Sequence, residues 1–217
     1  MKMGERMKVS LDLEDVLVRN VDLFIDELND FIEENCSTDE RLSSEAIEGW
    51  RFKGLREEFA EIRGWDEDVL EKFMNGDKEG WPGFIPLTEK TWREQPEKFT
   101  EIENNTKTKV KNISKTVKDA GGELYIVTAR ENVDQILRDK ISSLGINNYV
   151  EELIVKNKKD KLDFDVYIDD YPYLHSKLKN GVQIMIDRPW NKKEDLKSPH
   201  KRVKNLEEAR KVIQDLG

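Results

Sequence analysis

The stretch KVSLDLEDVLVRN, residues 8–20, decides the fold. Val9, Leu11 and Leu13 alternate with more polar positions, the period of a β-strand, and the run meets three carboxylates, Asp12, Glu14 and Asp15. Acids cannot lie in a core without partners, so the strand predicted over residues 8–13 delivers them to its carboxyl end. Helical spacing then takes over at once: Val21, Phe24, Ile25, Leu28 and Ile32 form a single apolar stripe.

Working outward, residues 35–99 contain only helical or irregular patterns. Leu55, Phe59 and Ile62 make one stripe, and Val69, Leu70, Phe73 and Met74 another. Trp50, Trp65, Trp81 and Trp92 lie here too, and large apolar side chains suit the small core of a short helical module. GWPGFIPLTEKTWREQP, residues 80–96, reads as a rigid irregular connection. TEIE at 100–103 has the form of a capping box, and the stripe Ile102, Thr106, Val110, Ile113, Val117 predicts a helix that stops at Gly121-Gly122.

The pattern then changes. ELYIVTAR (123–130), EELIV (151–155), DVYIDD (165–170) and VQIMID (182–187) are short β-branched runs. Helical stripes separate three of them: Val133, Ile136, Leu137, Ile141 and Leu144 after the first of these runs, and residues 174–178 before the last. A final helix over 206–216 has Asn205 as its N-cap. Strands alternating with helices imply an α/β fold with a parallel sheet covered on both faces. Residues 1–19 and 100–217 form the α/β core in this reading, and residues 20–99, too long for a plain crossover, form a helical insertion after the first strand.

Composition narrows the function. The 217 residues carry a net charge of -9, 38% charged residues and a mean hydropathy of -0.78. Duplex nucleic acid is not an expected partner, because binding it needs a basic face that displaces counterions. No run of about 18 apolar residues predicts a membrane span, and MKMGERMKVS lacks the apolar middle of a signal peptide. The single cysteine, Cys36, fits a reducing compartment and forms no internal disulfide. The expected location is the cytoplasm.

In open parallel sheets ligands bind beyond the carboxyl ends of the strands. Those ends carry Asp12, Glu14 and Asp15 after the first strand, Thr128, Ala129 and Arg130 after the second, and Asp169 and Asp170 after the fourth. A lysine cluster, Lys156, Lys158, Lys159 and Lys161, follows the third. So many carboxylates at one edge would repel unless a positive group lay among them, and a hard cation with oxygen ligands, most simply Mg²⁺, meets that need.

The order SLDLEDVL, YIVTAR, a lysine-rich segment and VYIDD resembles the four motifs of haloacid-dehalogenase (HAD) superfamily phosphatases. IVTAR, DVYIDDYP and IDRPWN are similar to the cytosolic 5'(3')-deoxyribonucleotidase group. The resemblance implies a Rossmannoid HAD-like core with residues 20–99 as a helical cap, and a Mg²⁺-dependent phosphomonoester hydrolase acting on a small phosphorylated substrate, nucleoside monophosphates first. It implies Asp12 as nucleophile. Asp12, the backbone carbonyl of Glu14, Asp169 and Asp170 would hold Mg²⁺; Thr128 and the amides of Ala129 and Arg130 would hold phosphate; Lys159, with Lys158 and Lys161 as alternatives, would neutralise charge. The Glu14 side chain would be the acid/base. Asn20 and Phe24, early in the cap, would contact substrate, as would Arg19.

Other readings stand beside these. Thr128 can cap the helix that ENVDQI begins, and Asp15 can be a solvated turn acid. Arg188, Trp190 and Asn191 can line the site or anchor packing, while His175 and His200 suit a surface or helix face. Related phosphatases have aspartate where this chain has Glu14, which leaves room for a slow or inactive protein that binds a phosphorylated ligand or a protein partner.

Overall fold

The computed structural model describes residues 6–21, 23, 25, 26, 29, 33, 90–130, 132–156 and 158–216. Six parallel strands form one sheet: β1 (Lys8–Leu11), β2 (Glu123–Thr128), β3 (Leu153–Val155), β4 (Val166–Asp169), β5 (Val182–Ile186) and β6 (Lys201–Val203), in the order β3-β2-β1-β4-β5-β6. β1 is interior, with Leu11 level with Ile126 of β2 and Ile168 of β4. Its carboxyl end therefore opens between the ends of β2 and β4.

Alternation along the strands sorts the core. Val9 and Leu11, Leu124 and Ile126, Val166 and Ile168, and Ile184 and Ile186 face one large cluster. Into it pack the stripes of α1 (Thr106–Asp119), α2 (Asp134–Ser143) and α3 (Leu206–Leu216) through Val110, Ile113 and Val117, Leu137 and Ile141, and Leu206, Ala209 and Ile213. The opposite face carries a smaller cluster of Val127, Phe164, Tyr167 and Leu174.

The expected helix ends hold in part. Gly121, at φ +75°, reverses the chain after α1, and the amide of Gly122 donates to the Val117 carbonyl at 2.8 Å. Asn205 Oδ1 accepts from the Glu208 amide at 2.9 Å, as an N-cap should. The start of α1 differs from expectation. Asn105 stands at the N-cap in a left-handed conformation, and the Glu101 carboxylate accepts from the Thr106 amide at 3.1 Å, so the TEIE segment precedes the helix.

Two further differences have physical causes. Residues 174–178 form turns instead of a helix, because the Gln183 side chain pins their backbone: Oε1 accepts from the His175 amide at 2.7 Å and Nε2 donates to the Tyr171 carbonyl at 2.8 Å. β6 carries no apolar alternation, since its pattern is KRV, and it exists through register with β5.

Leu17 and Arg19 pair with Thr100 and Ile102 through bonds from the Arg19 amide to the Thr100 carbonyl (2.9 Å) and from the Ile102 amide to the Leu17 carbonyl (3.0 Å). The chain thus leaves the sheet and returns to it side by side. Val21 and Ile25 of the expected first stripe are helical and buried, whereas Phe24, Leu28 and Ile32 lie outside the described residues. So do Trp50, Trp65 and Trp81 and the stripes from Leu55 to Met74. Trp92, fully buried, stacks on Phe99 with ring centroids 3.6 Å apart and belongs to the large cluster of the sheet. Among the described residues no helix is long and apolar enough to cross a membrane.

Candidate active site

β1 carries its ladder one residue further, since the Asp12 amide donates to the Ile168 carbonyl at 2.9 Å, and then the chain turns. Asp12 Oδ1 accepts from the Leu13 amide at 2.8 Å. Its Oδ2 meets Lys159 Nζ at 2.6 Å, and the same ammonium lies 2.9 Å from Asp169 Oδ2. Lys159 reaches this place from a 3₁₀ turn (Lys159–Lys161), whereas Lys161 is exposed and pairs with Asp160 at 3.2 Å, and Lys158 is exposed. Geometry thus singles out one lysine where spacing had left three.

Burial alone would push the Lys159 ammonium down. Asp12 and Asp169 outweigh it and hold the group protonated, above its ordinary value. Asp12 moves the other way: burial, then Asp169, raises its carboxyl well above the usual range, with Lys159 opposing.

Glu14 is held differently. Its Oε2 accepts from the Thr128 hydroxyl and its Oε1 from Arg130 Nε, each at 2.7 Å. Burial would raise this carboxyl, but the Arg130 charge and the two side-chain bonds lower it, so Glu14 is ionised. The Thr128 hydroxyl also accepts from the Arg130 amide at 3.2 Å. Thr128 is therefore committed to Glu14 and the TAR loop, not to a helix N-terminus, and Val133 stands at the N-cap of α2.

Asp15 corrects an expectation. It is only 3% exposed and takes a left-handed φ of 57°, which turns its carboxylate back to accept from the amides of Asn20 (2.9 Å) and Val21 (3.0 Å). A solvated turn acid is thus replaced by a buried cap on the outgoing helix. Burial raises its carboxyl to about 7 against the pull of those two amides.

Across the gap, Asp169 Oδ1 accepts from the Tyr171 amide at 2.8 Å, and Asp170 Oδ2 from the Trp190 indole at 2.7 Å. Burial, with Asp15 and Asp169 nearby, raises the Asp170 carboxyl well above its usual range. One oxygen from each of Asp12, Asp169 and Asp170 lies within 4.8 Å of the others, and all three residues are buried. Opposite corners of a Mg²⁺ octahedron with bonds of about 2.1 Å are about 4.2 Å apart, near that upper bound, so after small side-chain rotations this oxygen set could hold a hard divalent cation.

A cleft of about 410 Å³ opens over these groups, and Asn20, Ala129, Arg130, Tyr171 and Lys177 share its walls. Asn20 is 2% exposed, and its Oδ1 has no hydrogen-bond partner among the described residues. Ala129 is exposed at the cleft, and Arg19 is exposed and engaged through its backbone. Tyr171 and Lys177 escaped the sequence reading, because only the non-helical course of residues 171–178 brings them to the cleft. Trp190 and Asn191 are buried behind the acids and do not line the cleft, which leaves the packing-anchor reading of the two. His175 and His200 sit together, ring centroids 5.5 Å apart, off any helix.

The architecture is a HAD-like α/β fold. A haloacid dehalogenase-like hydrolase from Streptococcus pneumoniae superposes with a TM-score of 0.61 at 13% identity, over 97% of this chain and 100% of that one. A HAD family hydrolase from Deinococcus radiodurans with bound phosphate and sodium gives 0.56 at 13% identity, over 96% and 95% of the two chains. A HAD-type hydrolase from Bacillus subtilis bound to magnesium gives 0.53 at 14%, over 97% and 99%. No protein-family model and no curated protein matches the sequence.

Proposed function

We propose that this protein is a Mg²⁺-dependent phosphomonoester hydrolase that works through an aspartyl-phosphate on Asp12, with small phosphorylated molecules, nucleoside monophosphates first, as substrates. The observation that carries the reading is the Asp12 carboxylate at the head of β1, 2.6 Å from the Lys159 ammonium and within one cation's reach of Asp169 and Asp170. The phosphate and magnesium held by two proteins of the same fold support it.

In this reading Glu14, freed from Thr128 and Arg130 by the incoming phosphate, takes a proton from solvent; an Asp12 oxygen then attacks phosphorus, the P–O bond to the ester oxygen breaks, and Glu14 passes that proton to the leaving oxygen. Water then attacks the same phosphorus, Glu14 recovers a proton, the bond from Asp12 to phosphorus breaks and inorganic phosphate leaves. Lys159 offsets charge on the nucleophile and the phosphoryl group. Asp12, Asp169, Asp170 and the Glu14 carbonyl would hold Mg²⁺, which when bound supplies fixed positive charge for the phosphoryl oxygens. A phosphate that takes over Thr128 and the Arg130 side of the cleft releases Glu14 from both.

Asn20, Phe24, Ala129 and Arg130 form the substrate side, and residues 20–99 are the cap that shields the reaction from water, in a cytoplasmic enzyme. The paired segments 17–19 and 100–102 support a stem for such a cap, although Trp92 and Phe99 pack with the sheet.

Phosphate release from a panel of nucleotides and sugar phosphates, with and without EDTA, tests the reading. Metal-dependent release from at least one substrate, lost in Asp12→Asn, is expected; no release from any of them overturns it. A second reading, a binding protein with little turnover, is favoured by the clamp on Glu14, because an ionised carboxylate held by Arg130 is a poor proton donor. Calorimetric binding of a phosphorylated ligand without turnover would select it.

A further inference from the structure

The loop that follows β5 reaches behind both acidic turns. Trp190 is 5% exposed, lies outside the cleft lining, and aims its only polar group, the indole N–H, at Asp170 Oδ2 from 2.7 Å. Asn191, 1% exposed, donates from Nδ2 to the carbonyls of Asp170 and Ile186, both at 2.8 Å. Its Oδ1 accepts from the Arg188 amide (3.0 Å) and from Arg202 Nη1 (2.8 Å). Arg202 pairs in turn with Asp187 at 2.8 Å, and Arg188 Nε donates to the Asp15 carbonyl at 2.7 Å. One short loop, tied down by the edge strand β6, thus grips the backbones of the turns after β1 and β4 and one acid side chain.

We propose that Trp190 is a positioning residue for Asp170: its N–H fixes the plane of that carboxylate against Asp12 and Asp169 and so sets the affinity of the site for a divalent cation. The inference rests on the metal site of the proposed function. An indole offers a donor and no acceptor, so it can hold a carboxylate in a set orientation without competing for the cation. Carboxylate ligands in metal sites are held in this way by partners in the surrounding shell, and losing such a partner costs about 10–100-fold in metal affinity. Packing alone would need only an aromatic ring, whereas orientation needs the N–H.

Trp190→Phe separates the two roles. Calorimetric titration with Mg²⁺ and Mn²⁺ should give affinities about 10–100-fold weaker than the parent's, while the metal-free variant keeps a cooperative unfolding transition. Equal affinity in parent and variant overturns the proposal and leaves the metal site standing. No Mg²⁺ binding by the parent overturns the metal site and the proposal with it. Should Trp190→Phe not fold, the parent protein with ¹⁵N-labelled indoles decides: the Trp190 Nε1–H resonance should shift on Mg²⁺ titration with the calorimetric midpoint, and a resonance that saturating Mg²⁺ leaves in place overturns the proposal.

Discussion

The turns after β1 and after β4 both bury acids and share Lys159 between Asp12 and Asp169, but Glu14 on one side and Asp170 on the other are compensated by different means. On the β1 side, full charges do the work: Lys159 lies against Asp12, and Arg130 against Glu14, with the Thr128 hydroxyl beside it. On the β4 side, among the described residues, Asp170 receives neutral donors, the Trp190 indole on its carboxylate and the Asn191 amide on its backbone. Cations arrive from the β2 and β3 ends of the sheet and, among the described residues, none reaches the Asp170 side chain from the β5 end. Negative charge is therefore balanced around Glu14, whereas Asp12, Asp169 and Asp170 share a single lysine among the described residues, a surplus that Asp15 adds to from beside Asp170.

The largest blow to this division is Lys159→Met. It removes the cation that, among the described residues, Asp12 and Asp169 share, and leaves buried acids uncompensated, a change that costs about 3–5 kcal/mol when a buried pair loses a partner. Denaturant unfolding of the metal-free protein should show that loss, and Mg²⁺ should restore part of it. An unchanged midpoint would mean that Lys159 does not hold the site together.

Asp15→Asn tests the surplus from the other side. The folded carboxyl titrates near 7, well above the ordinary 3.8, so between those values the folded state binds the extra proton. Stability from this group is therefore full at low pH, falls as pH rises toward 7 and stays lost above it. An asparagine keeps an oxygen for the Asn20 and Val21 amides and carries no charge, so the variant should gain stability at pH 8, on the order of 1–3 kcal/mol, and little at pH 4. Equal gains at both pH values would show that the charge is not the cause.

Glu14→Asp probes the charged side in turnover. One methylene shorter, the acid cannot span both Thr128 and Arg130. Phosphate release should rise, by about 10-fold if misplacement of the proton donor limits the parent. A slower variant would show a site built around glutamate.

The smallest effect is expected at His200, on the neutral side. Its Nδ1 accepts from the Gln183 amide at 3.1 Å, and Gln183 pins the chain after Asp170. Burial, then His175, lowers the imidazole below the ordinary 6.5. The unfolded chain therefore binds the proton first, and stability declines as pH falls through 6.5 toward the folded value. His200→Gln should flatten that slope in thermal melts from pH 7.5 to 5; an unaltered slope would assign it to other groups.

Much of this was legible in the chain. β1, β2 and β4 announce themselves because apolar alternation ends in a hydroxyl or an acid. Strands alternating with helices also implied a parallel sheet, and its carboxyl edge the meeting of Asp12, Thr128, Asp169 and Asp170. β6 left no trace, since a three-residue KRV strand owes its existence to β5. The stripe at Leu174–Leu178 misled because helical spacing says nothing of a glutamine from the next strand that takes the same backbone groups.

Residue types and their periodicity, then, determined the layering of the fold and the list of acids, because burying apolar area depends on pattern alone. Which lysine meets Asp12, how Glu14 is held ionised, why Asp15 is buried and what Trp190 supports were decided only in three dimensions. Each of those depends on the reach and direction of a side chain across a long sequence separation, as with Arg130 on Glu14 or Trp190 on Asp170, and hydrogen bonds and ion pairs are short-range and directional where hydrophobic burial is neither.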